Sequence, residues 1–398
     1  MTAVSQRPSG PDRRAAAIGA IYAVYAGEGL AFAAVLARSP EIQRAHRFGD
    51  DAIDLLVALI PVVGIAGGLL AATLVRRLSP RAVLVAAQVL FHTGVLLVGL
   101  ARGRTAVICA LLLFGVSMGV LDATVNAQAV AAERLAGRSV VNGFFAVWSA
   151  MGIAGALWIS LANGLDVSLA AGFAVPAAMG LLIAVLTSRL PLPGDAAVGP
   201  AEPAAPAPPV PWRPLLAIGM VLACAYVAEG TVSGFAVKYV RDELDAPGTV
   251  APLAIAAFTL TTVLGRSVAD RAIRRWGAPR LARGGAAVAM VGLIAVAAAP
   301  GPVLAIAGFA VIGAGLCSMA PSAYAAAGGH DPGGRGVAVA RVGVFSYTGF
   351  VGGAAMVTAV HPMGGYRAAY LIAALFLSVV AALAARFTTV PALSGRAV

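Results

Sequence analysis

The sequence predicts an all-α membrane protein whose twelve transmembrane helices form two six-helix halves. Hydrophobic residue types make up 60% of the 398 residues and charged types only 11%, whereas a soluble domain carries about 25% charged residues. Twelve stretches are long enough to cross a bilayer, and the last six repeat motifs of the first six. So few charges cannot cover the surface of a soluble domain, which excludes soluble enzymes and disordered proteins.

The spans follow from length, because a helix needs about 20 mostly apolar residues to cross a bilayer. We predict them at 15–37, 52–75, 82–101, 105–131, 140–163, 168–188, 214–238, 249–270, 284–300, 302–326, 337–360 and 367–387. A Pro- and Ala-rich segment separates the sixth span from the seventh, and its prolines favour an extended linker. The predicted organisation is a first half at 1–189, a linker at 190–213 and a second half at 214–398.

The distribution of basic residues predicts the orientation in the membrane. Nineteen of the 28 basic residues fall in loops on the side of the N-terminus and eight in the opposite loops, with Arg341 inside a span. Because short cytoplasmic loops collect Arg and Lys, we expect a multi-pass protein of the bacterial cytoplasmic membrane with both termini in the cytoplasm. The net charge of +11 then reflects topology, and no nucleic-acid partner is predicted.

Several kinds of chemistry are excluded by missing motifs. The only lysine is Lys238, so there is no phosphate-binding loop of an ATP-driven pump. No His-Glu-x-x-His motif occurs, and the three cysteines lie in apolar stretches. We therefore predict no metal site, no cofactor and no disulfide framework. No nucleophile, base and orienting group share plausible faces, so an enzyme is not predicted.

Three motifs of the first half recur in the second half at an offset of about 200 residues. The pairs are Tyr25-Ala-Gly-Glu28-Gly29 with Tyr226-Val-Ala-Glu229-Gly230, Arg76-Arg77-Leu-Ser-Pro-Arg81 with Arg274-Arg275-Trp-Gly-Ala-Pro-Arg280, and Trp148-Ser149-x-x-Gly152-x-x-Gly155 with Phe345-Ser346-x-x-Gly349-x-x-Gly352. Each match alone is weak, but their common order indicates a duplicated six-helix unit. Two such units related by an axis along the membrane normal are typical of one transporter architecture.

The loop after span 8 carries a family resemblance. Its sequence is Gly265-Arg266-Ser-Val-Ala-Asp270-Arg271-Ala-Ile-Arg-Arg275-Trp-Gly277-Ala-Pro-Arg280. It is similar to the Gly-x-x-x-Asp-Arg…Gly-x-Arg motif of the major facilitator superfamily, which the chain resembles along its whole length. Within the superfamily, the stretch Gly115-Val-Ser-Met-Gly119-Val-Leu-Asp122-Ala-Thr-Val-Asn126-Ala-Gln128, followed by Glu133-Arg134, resembles the rhizopine-type and sugar-permease-like branch.

The resemblance implies the major facilitator fold, alternating access, a monomeric protein and a central cavity lined by spans 1 and 7. It also implies that Arg266, Asp270, Arg271 and Arg275 form a network at the inner gate. The first-half copy of the motif departs from the family pattern, because Arg76 stands where Asp is usual and Ser79 where Gly is usual. The gate contacts normally made by that Asp are therefore expected to be absent or rerouted in the first half.

Two glutamates are the strongest candidates for transport chemistry. Glu28 and Glu229 each lie in mid-span, with Tyr25 and Tyr226 three residues earlier on the same helical face. Insertion of an ionisable side chain within a span costs roughly 2.5–3.5 kcal/mol, so each such residue is expected to have a functional or structural role. A poorly solvated carboxyl group could exchange a proton near neutral pH, or bind a substrate hydroxyl or ammonium group. The alternative is a protonated Glu that is hydrogen-bonded to the neighbouring Tyr.

A second polar group is predicted nearer the cytoplasmic side. Asp122 and Asn126 share one face of span 4, while Asn142 in span 5 and Arg341 in span 11 lie at similar depth. This group could bind substrate or latch the inner gate, and a structural network between helices is an equal alternative. Trp148 is the aromatic residue predicted to line the cavity.

These patterns predict a secondary active transporter. Intramembrane carboxyl groups without a nucleotide site favour proton coupling, and the polar residues and the branch resemblance favour a sugar, polyol or derivative as substrate. One alternative is a proton-driven exporter of an amphipathic or cationic metabolite or drug, because two acidic groups would suit a cation. Another is a non-transporting membrane sensor, although such proteins usually carry a soluble signalling segment. Fold alone does not separate these functions.

Overall fold

The computed structural model describes residues 11–193, 210–247, 250–331 and 335–384, and every regular element in these ranges is a helix. The helices are α1 (Pro11–Ala37), α2 (Ser39–His46), α3 (Asp50–Arg77), α4 (Pro80–Leu100), α5 (Arg104–Ala136), α6 (Val141–Gly164), α7 (Leu169–Arg189), α8 (Trp212–Asp242), α9 (Leu253–Trp276), α10 (Ala278–Ala297), α11 (Pro302–Leu316), α12 (Met319–Gly328) and α13 (Val337–Leu383). Eleven helical segments are long and apolar enough to cross a membrane. The last segment contains two spans, because Gly365 interrupts α13 with φ 66° and ψ −173°. The predicted fold of twelve spans is confirmed.

The first half comprises α1–α7 and the second half α8–α13. Most of the predicted linker, residues 194–209, lies outside the described residues, as do the two ends of the chain. The division into a first half, linker and second half at these positions therefore stays a prediction. In each half the spans alternate in direction, and α11 and α12 together form one span. One end of the bundle, where α1 begins and α3, α5 and α9 end, carries most of the arginines, and we call it the basic end.

The short helix α2 was not predicted, because its eight residues are far fewer than a span requires. It begins with Pro40 in its first turn, where the missing N–H of proline is harmless. Ile42 is buried, while the neighbouring positions are polar. This helix lies between the first two spans, at the end of the bundle opposite the basic end.

Side chains satisfy carbonyl groups that prolines leave without a donor. The predicted tenth span is divided into α11 and α12, because Pro321 has no N–H to donate to the Cys317 carbonyl four residues earlier. That carbonyl accepts instead from Arg266 Nε at 3.2 Å. Likewise, Pro176 within α7 leaves the Gly172 carbonyl free, which accepts from Trp158 Nε1 at 2.8 Å. Such rescue is required in a membrane, where water is not available to unpaired carbonyls.

Glycines bring the first and fifth spans of each half into contact. A Cβ atom on Gly29 of α1 would lie 2.2 Å from the Trp148 carbonyl oxygen of α6. In the second half, a Cβ atom on Gly230 of α8 would lie 2.3 Å from the Phe350 carbonyl oxygen of α13. Small residues allow this close approach between membrane helices. The duplicated Glu-Gly motif therefore has the same packing role in both halves.

The outer surface of the bundle is apolar. Leu157, Leu182, Leu264 and Val291 are between 58% and 65% exposed. Large exposed apolar residues of this kind suit contact with lipid chains rather than with water. The polar side chains described below are instead directed towards the interior between the halves.

The glycine contact at α1 gives a first prediction. The Gly29→Ala variant should lose about 1–3 kcal/mol of stability, because the added methyl group would overpack the contact with α6. Gly19→Ala is the matched control on the same helix, since nothing lies within 4 Å of a Cβ atom there. Thermal unfolding of the purified proteins in detergent measures the difference. Equal melting temperatures for the two variants would contradict this packing role.

Candidate functional site

A chain of hydrogen bonds runs through the interior from the first half to the second. The Tyr25 hydroxyl on α1 donates to Asn126 Oδ1 on α5 at 2.7 Å. The Asn126 amide nitrogen donates to Asp122 Oδ1, one turn earlier on α5, at 2.8 Å. Asp122 Oδ2 accepts from the Tyr347 hydroxyl on α13 at 3.0 Å. Tyr25, Asn126 and Asp122 therefore lie together, and Asp122 is hydrogen-bonded to the other half.

Glu28 lies next to this chain and is 4% exposed. Its Oε2 atom has no hydrogen-bond partner among the described residues. The carboxyl group of Asp122 lies within electrostatic range of it. The Tyr25 hydroxyl donates to Asn126 and not to Glu28. The hydrogen bond between Glu28 and its neighbouring tyrosine, which was the structural alternative for this residue, is therefore not formed. A buried carboxyl oxygen without a partner is costly, which makes Glu28 a candidate for proton or ligand binding.

Tyr226 and Glu229 on α8 face the same region from the second half. Both side chains are half-buried. Glu229 lies within electrostatic range of Arg266, and Tyr226 lies within range of Asp122 and Tyr324. The duplicated Tyr-x-x-Glu motif thus places one carboxyl group on each side of the interior, but the two carboxyl groups have different neighbours.

Aromatic rings border the region on the first-half side. Trp148 on α6 is half-buried, and its ring centroid lies 5.8 Å from that of Phe32 on α1. Phe145, one turn earlier on α6, stacks at 6.1 Å against Tyr324 on α12. The second contact crosses between the halves, so aromatic packing reinforces the hydrogen bond from Tyr347 to Asp122.

Tyr324 and Tyr347 were not among the predicted site residues. Tyr347 is 8% exposed and Tyr324 1% exposed, and the Tyr324 hydroxyl donates to Ser346 Oγ at 3.4 Å. The sequence held a signal for one of them, because Tyr347 directly follows Ser346 of the duplicated motif. Its bond to Asp122 could not be foreseen, since the two residues are 225 positions apart in sequence.

Asp270 holds the halves together at the basic end. Its carboxylate accepts from Ser139 Oγ at 2.7 Å, from Asn142 Nδ2 at 2.9 Å, and from the backbone N–H groups of Asn142 at 3.3 Å and Gly143 at 3.0 Å. These donors belong to the first turn of α6 and to Ser139, two residues before that helix. A carboxylate is favourable there, because the first N–H groups of a helix lack partners and carry partial positive charge.

Arg266 also connects the halves, although it is only 5% exposed. Its Nη1 atom donates to Ser149 Oγ on α6 at 2.5 Å. Its guanidinium group lies 5.4 Å from the centre of the Phe145 ring. Arg266 and Asp270 thus both contact α6 of the first half, and their role in a gate stays a prediction. Further bonds at this end join Arg134 to the Gly328 carbonyl and Arg274 to the Ser139 carbonyl.

Two residues of the predicted gate network, Arg271 and Arg275, and one residue of the second predicted polar group, Arg341, lie away from these contacts. Arg271 is exposed, and Arg275 is exposed with its guanidinium group 5.8 Å from the centre of the Trp276 ring. Arg341 donates to the Val210 carbonyl at 2.9 Å and lies 4.5 Å from the centre of the Trp212 ring. The long arginine side chains extend towards the surface while their stems remain on the helix. Arg341 therefore contacts the start of the second half rather than Asp122.

The two halves are not equivalent at the basic end. Gly67 lies next to Gly119 in the first half, and Gly265 lies next to Cys317 in the second half. The two contacts are equivalent, because each residue of the second pair follows its counterpart in the first pair by 198 positions. At this offset the counterpart of Asp270 is Ala72, whereas Arg76 corresponds to Arg274. The expected lack of a carboxylate in the first-half copy is therefore present, but its position is that of Ala72 and not, as predicted, that of Arg76. At the end of α3, where this carboxylate is missing, the contact between the halves includes a bond from Arg335 Nη1 to the Arg76 carbonyl at 3.0 Å.

The bond between Tyr347 and Asp122 can be tested by removing one hydroxyl group. Tyr347→Phe should lower the free energy of unfolding by about 1–3 kcal/mol, because Asp122 Oδ2 loses its donor. Tyr370→Phe is the matched control, since the Tyr370 hydroxyl is buried without a hydrogen-bond partner among the described residues. Thermal unfolding in detergent compares the two variants. A loss of stability in Tyr370→Phe as large as in Tyr347→Phe would contradict the assignment.

The contact of Asp270 with α6 predicts a local change in backbone protection. In Asp270→Asn, the amides of Asn142 and Gly143 should exchange hydrogen about 10- to 100-fold faster, because charged hydrogen bonds contribute about 1.5–3 kcal/mol. Hydrogen exchange with mass spectrometry on a peptide covering 138–146 measures this. Asp242→Asn is the control, since Asp242 is exposed and bonds to its neighbour Arg241. Unchanged exchange in Asp270→Asn would show that α6 is held by other contacts.

Two family models match separate parts of the chain. Residues 218–397 match the model described as Major Facilitator Superfamily, and residues 31–191 match the model described as Sugar (and other) transporter. An uncharacterized MFS-type transporter of Yersinia pestis is 27% identical over 362 residues, which cover 90% of this chain and 93% of that protein. Membrane protein MosC of Rhizobium meliloti is 24% identical over 82% of this chain and 79% of its own length.

Solved structures with the same fold include three transporters. The major facilitator transporter FucP in its outward conformation aligns with a TM-score of 0.74 and 15% identity, covering 93% of this chain and 98% of its own. The proton:xylose symporter XylE aligns with a TM-score of 0.71 and 14% identity, covering 93% and 95%. The human organic anion transporter MFSD10 aligns with a TM-score of 0.71 and 14% identity, covering 94% of this chain and 99% of its own. At these identities the likeness concerns the fold. The second half thus matches the model of the major facilitator superfamily, the first half matches a transporter model, and the whole bundle has the fold of major facilitator transporters, which the chain resembles along its length.

Proposed function

We propose that the protein is a proton-coupled secondary transporter that moves a small polar organic solute, such as a sugar, a polyol or a derivative, by alternating access. The carrying observation is the hydrogen-bonded chain from Tyr25 through Asn126 and Asp122 to Tyr347, with Glu28 next to it and Glu229 on the opposite side. It provides hydrogen-bonding groups and ionisable groups at the contact between the two halves. Transporters of this architecture bind their substrates at such a contact, near the bilayer midplane.

The arrangement corresponds to one state of the alternating-access cycle. The positive-inside rule would put the basic end in the cytoplasm, and there Asp270 and Arg266 hold the halves together. At the other end, the polar side chains of Arg38 and Glu243 bond within their own halves. We infer an outward-facing state with the cytoplasmic side closed. The proposal includes a monomer in the bacterial cytoplasmic membrane.

Glu28 is the preferred proton-coupling residue. It is nearly completely buried, its Oε2 atom lacks a partner among the described residues, and Asp122 lies within electrostatic range. Two carboxyl groups this close in a poorly solvated interior are not both charged without a large cost, so one proton shared between them is favoured. Because Asp122 also contacts Tyr347 of the second half, movement of this proton would change a bond on which closure depends.

The chemistry of the lining favours a polyhydroxy solute. Asp122, Asn126 and Glu229 offer acceptors for hydroxyl groups, and the half-buried ring of Trp148 offers an apolar face for a sugar ring. The match of residues 31–191 to the model of sugar and other transporters supports this class. The energy is sufficient, because about 2.3 kcal/mol per charge from 100 mV and about 1.36 kcal/mol per pH unit support roughly a 500-fold gradient per proton.

A second candidate is a proton-driven exporter of a cationic or amphipathic compound. Three carboxyl groups, those of Glu28, Asp122 and Glu229, surround the region, whereas Arg266 is the basic side chain that lies within range of Glu229. An excess of acidic groups suits a cation. This function differs from the first in the relative direction of solute and proton movement, which an experiment can measure.

The decisive measurement is proton flux in liposomes that contain the purified protein and a trapped pH dye. Sugars, polyols and lipophilic cations are added in turn to wild type, Glu28→Gln and Glu229→Gln. We expect a polar solute to carry protons in its own direction, and Glu28→Gln to reduce this coupled flux at least about 100-fold, because the proton-binding carboxyl group is gone. Asp242→Asn, at the exposed surface, is the control and should retain wild-type flux.

Each other outcome rejects one part of the proposal. If a lipophilic cation drives protons in the opposite direction, the exporter is the correct function. If only Glu229→Gln abolishes the flux, the proton site lies in the second half. If solute moves in wild type without protons, both glutamates have binding or structural roles and proton coupling is wrong.

A further inference from the structure

A small cavity lies between the halves at the basic end, apart from the central polar chain. Glu133, Ser139 and Asn142 line it from the first half, and Ser322 lines it from the second half, together with apolar residues. It is formed where the end of α5 and the start of α6 meet α9, α10 and α12. The cavity therefore exists only while this end of the bundle is closed.

Two buried polar atoms in the cavity wall lack hydrogen-bond partners among the described residues. They are Asn142 Oδ1 and Ser322 Oγ, on side chains that are 1% and 4% exposed. The orientation of the Asn142 amide follows from chemistry, because Asp270 only accepts hydrogen bonds and receives Asn142 Nδ2 at 2.9 Å. The Asn142 carbonyl oxygen is therefore left as an acceptor. Buried polar atoms without partners are rare in folded proteins and indicate a bound water or ion.

Carboxylate groups lie at the cavity, and Arg274 Nη1 donates to the backbone carbonyl of Ser139, one of the lining residues, at 2.9 Å. Glu133 Oε2 accepts from the backbone N–H groups of Val140 at 3.1 Å and Val141 at 3.4 Å. Asp270 lies within electrostatic range of Glu133. In the part of the chain that the structure describes, no basic side chain lies within 4 Å of either carboxylate. The wall thus combines a carboxylate without an ion-pair partner among the described residues, a free carbonyl oxygen and a hydroxyl oxygen.

We propose that this cavity binds a small monovalent cation such as Na⁺, which links the two halves while the gate at the basic end is closed. Hard cations prefer carboxylate, carbonyl and hydroxyl oxygens, and Glu133, Asn142 and Ser322 supply one of each. A single lining carboxylate matches a single positive charge. Because the oxygens come from both halves, the bound cation stabilises the closed gate and is released when the halves separate there. This inference does not depend on which solute is transported.

Binding of radioactive sodium to the purified full-length protein in detergent, with choline replacing sodium at constant ionic strength, tests the proposal. Wild type should bind about one Na⁺ per protein in a saturable manner. Ser322→Ala should bind about tenfold more weakly, because one buried oxygen ligand is lost. Ser117→Ala is the matched control, since the Ser117 hydroxyl is buried and already donates to the Leu113 carbonyl of its own helix at 2.6 Å.

A second measurement connects binding to the gate. Na⁺ should slow hydrogen exchange in the peptide covering 138–146 of wild type and of Ser117→Ala, but not of Ser322→Ala. Absence of saturable binding to wild type would overturn the proposal and leave the cavity to a water molecule. Equal binding to wild type and Ser322→Ala would place the sodium elsewhere, and would overturn it too. Glu133→Gln should reproduce the effect of Ser322→Ala, and Ser322→Ala alone decides the matter if Glu133→Gln does not fold.

Discussion

The buried guanidinium group of Arg266 connects features of this protein that are far apart in sequence. Its Nε atom donates to the carbonyl of Cys317, which has no helical donor because Pro321 follows four residues later. Its Nη1 atom reaches Ser149 in the other half, and its charge lies within range of Glu229. A charge in this position is tolerated only because these groups satisfy it. The broken tenth span, the contact of α9 with α6 and the surroundings of Glu229 therefore depend on one side chain.

The duplicated halves have diverged where they meet. At an offset of 198 residues, Arg266 and Asp270 have Gly68 and Ala72 as counterparts. The interface of α9 with α6 is accordingly held by charge-assisted hydrogen bonds, whereas Gly68 on α3 lies beside the apolar side chain of Val344 on α13. One side of the closed end resists separation through polar bonds and the other mainly through packing. A cation in the adjacent cavity would act on the polar side alone.

The central polar chain and the gate share helices, which offers a physical route for coupling between them. Asp122 and Glu133 lie on the same helix α5, and Trp148, Ser149 and Asn142 lie on α6. Tyr347 contacts Asp122 at one depth, while Asp270 and Arg266 hold α6 at another. Packed helices shift as units because interiors are dense and interfaces have discrete arrangements. A change in the bond between Asp122 and Tyr347 would thus be felt at the basic end through rigid helices.

The sequence by itself determined the fold class, the twelve spans, the repeat of the Glu-Gly motif and the resemblance to the superfamily, because apolar length and glycine spacing are local properties. Helical periodicity also placed Asp122 and Asn126 on one face of α5, and Tyr25 and Glu28 on one face of α1, whereas the bond that joins Tyr25 to Asn126 came from the structure. Only the tertiary structure decided that Tyr347 is the partner of Asp122, that Arg341 contacts Trp212, and that Asn142 and Ser322 direct free oxygen atoms into one cavity. Those contacts join residues on different helices, and their geometry depends on how the halves close together. A local sequence pattern describes a single helix and cannot give the relative position of two helices from different halves.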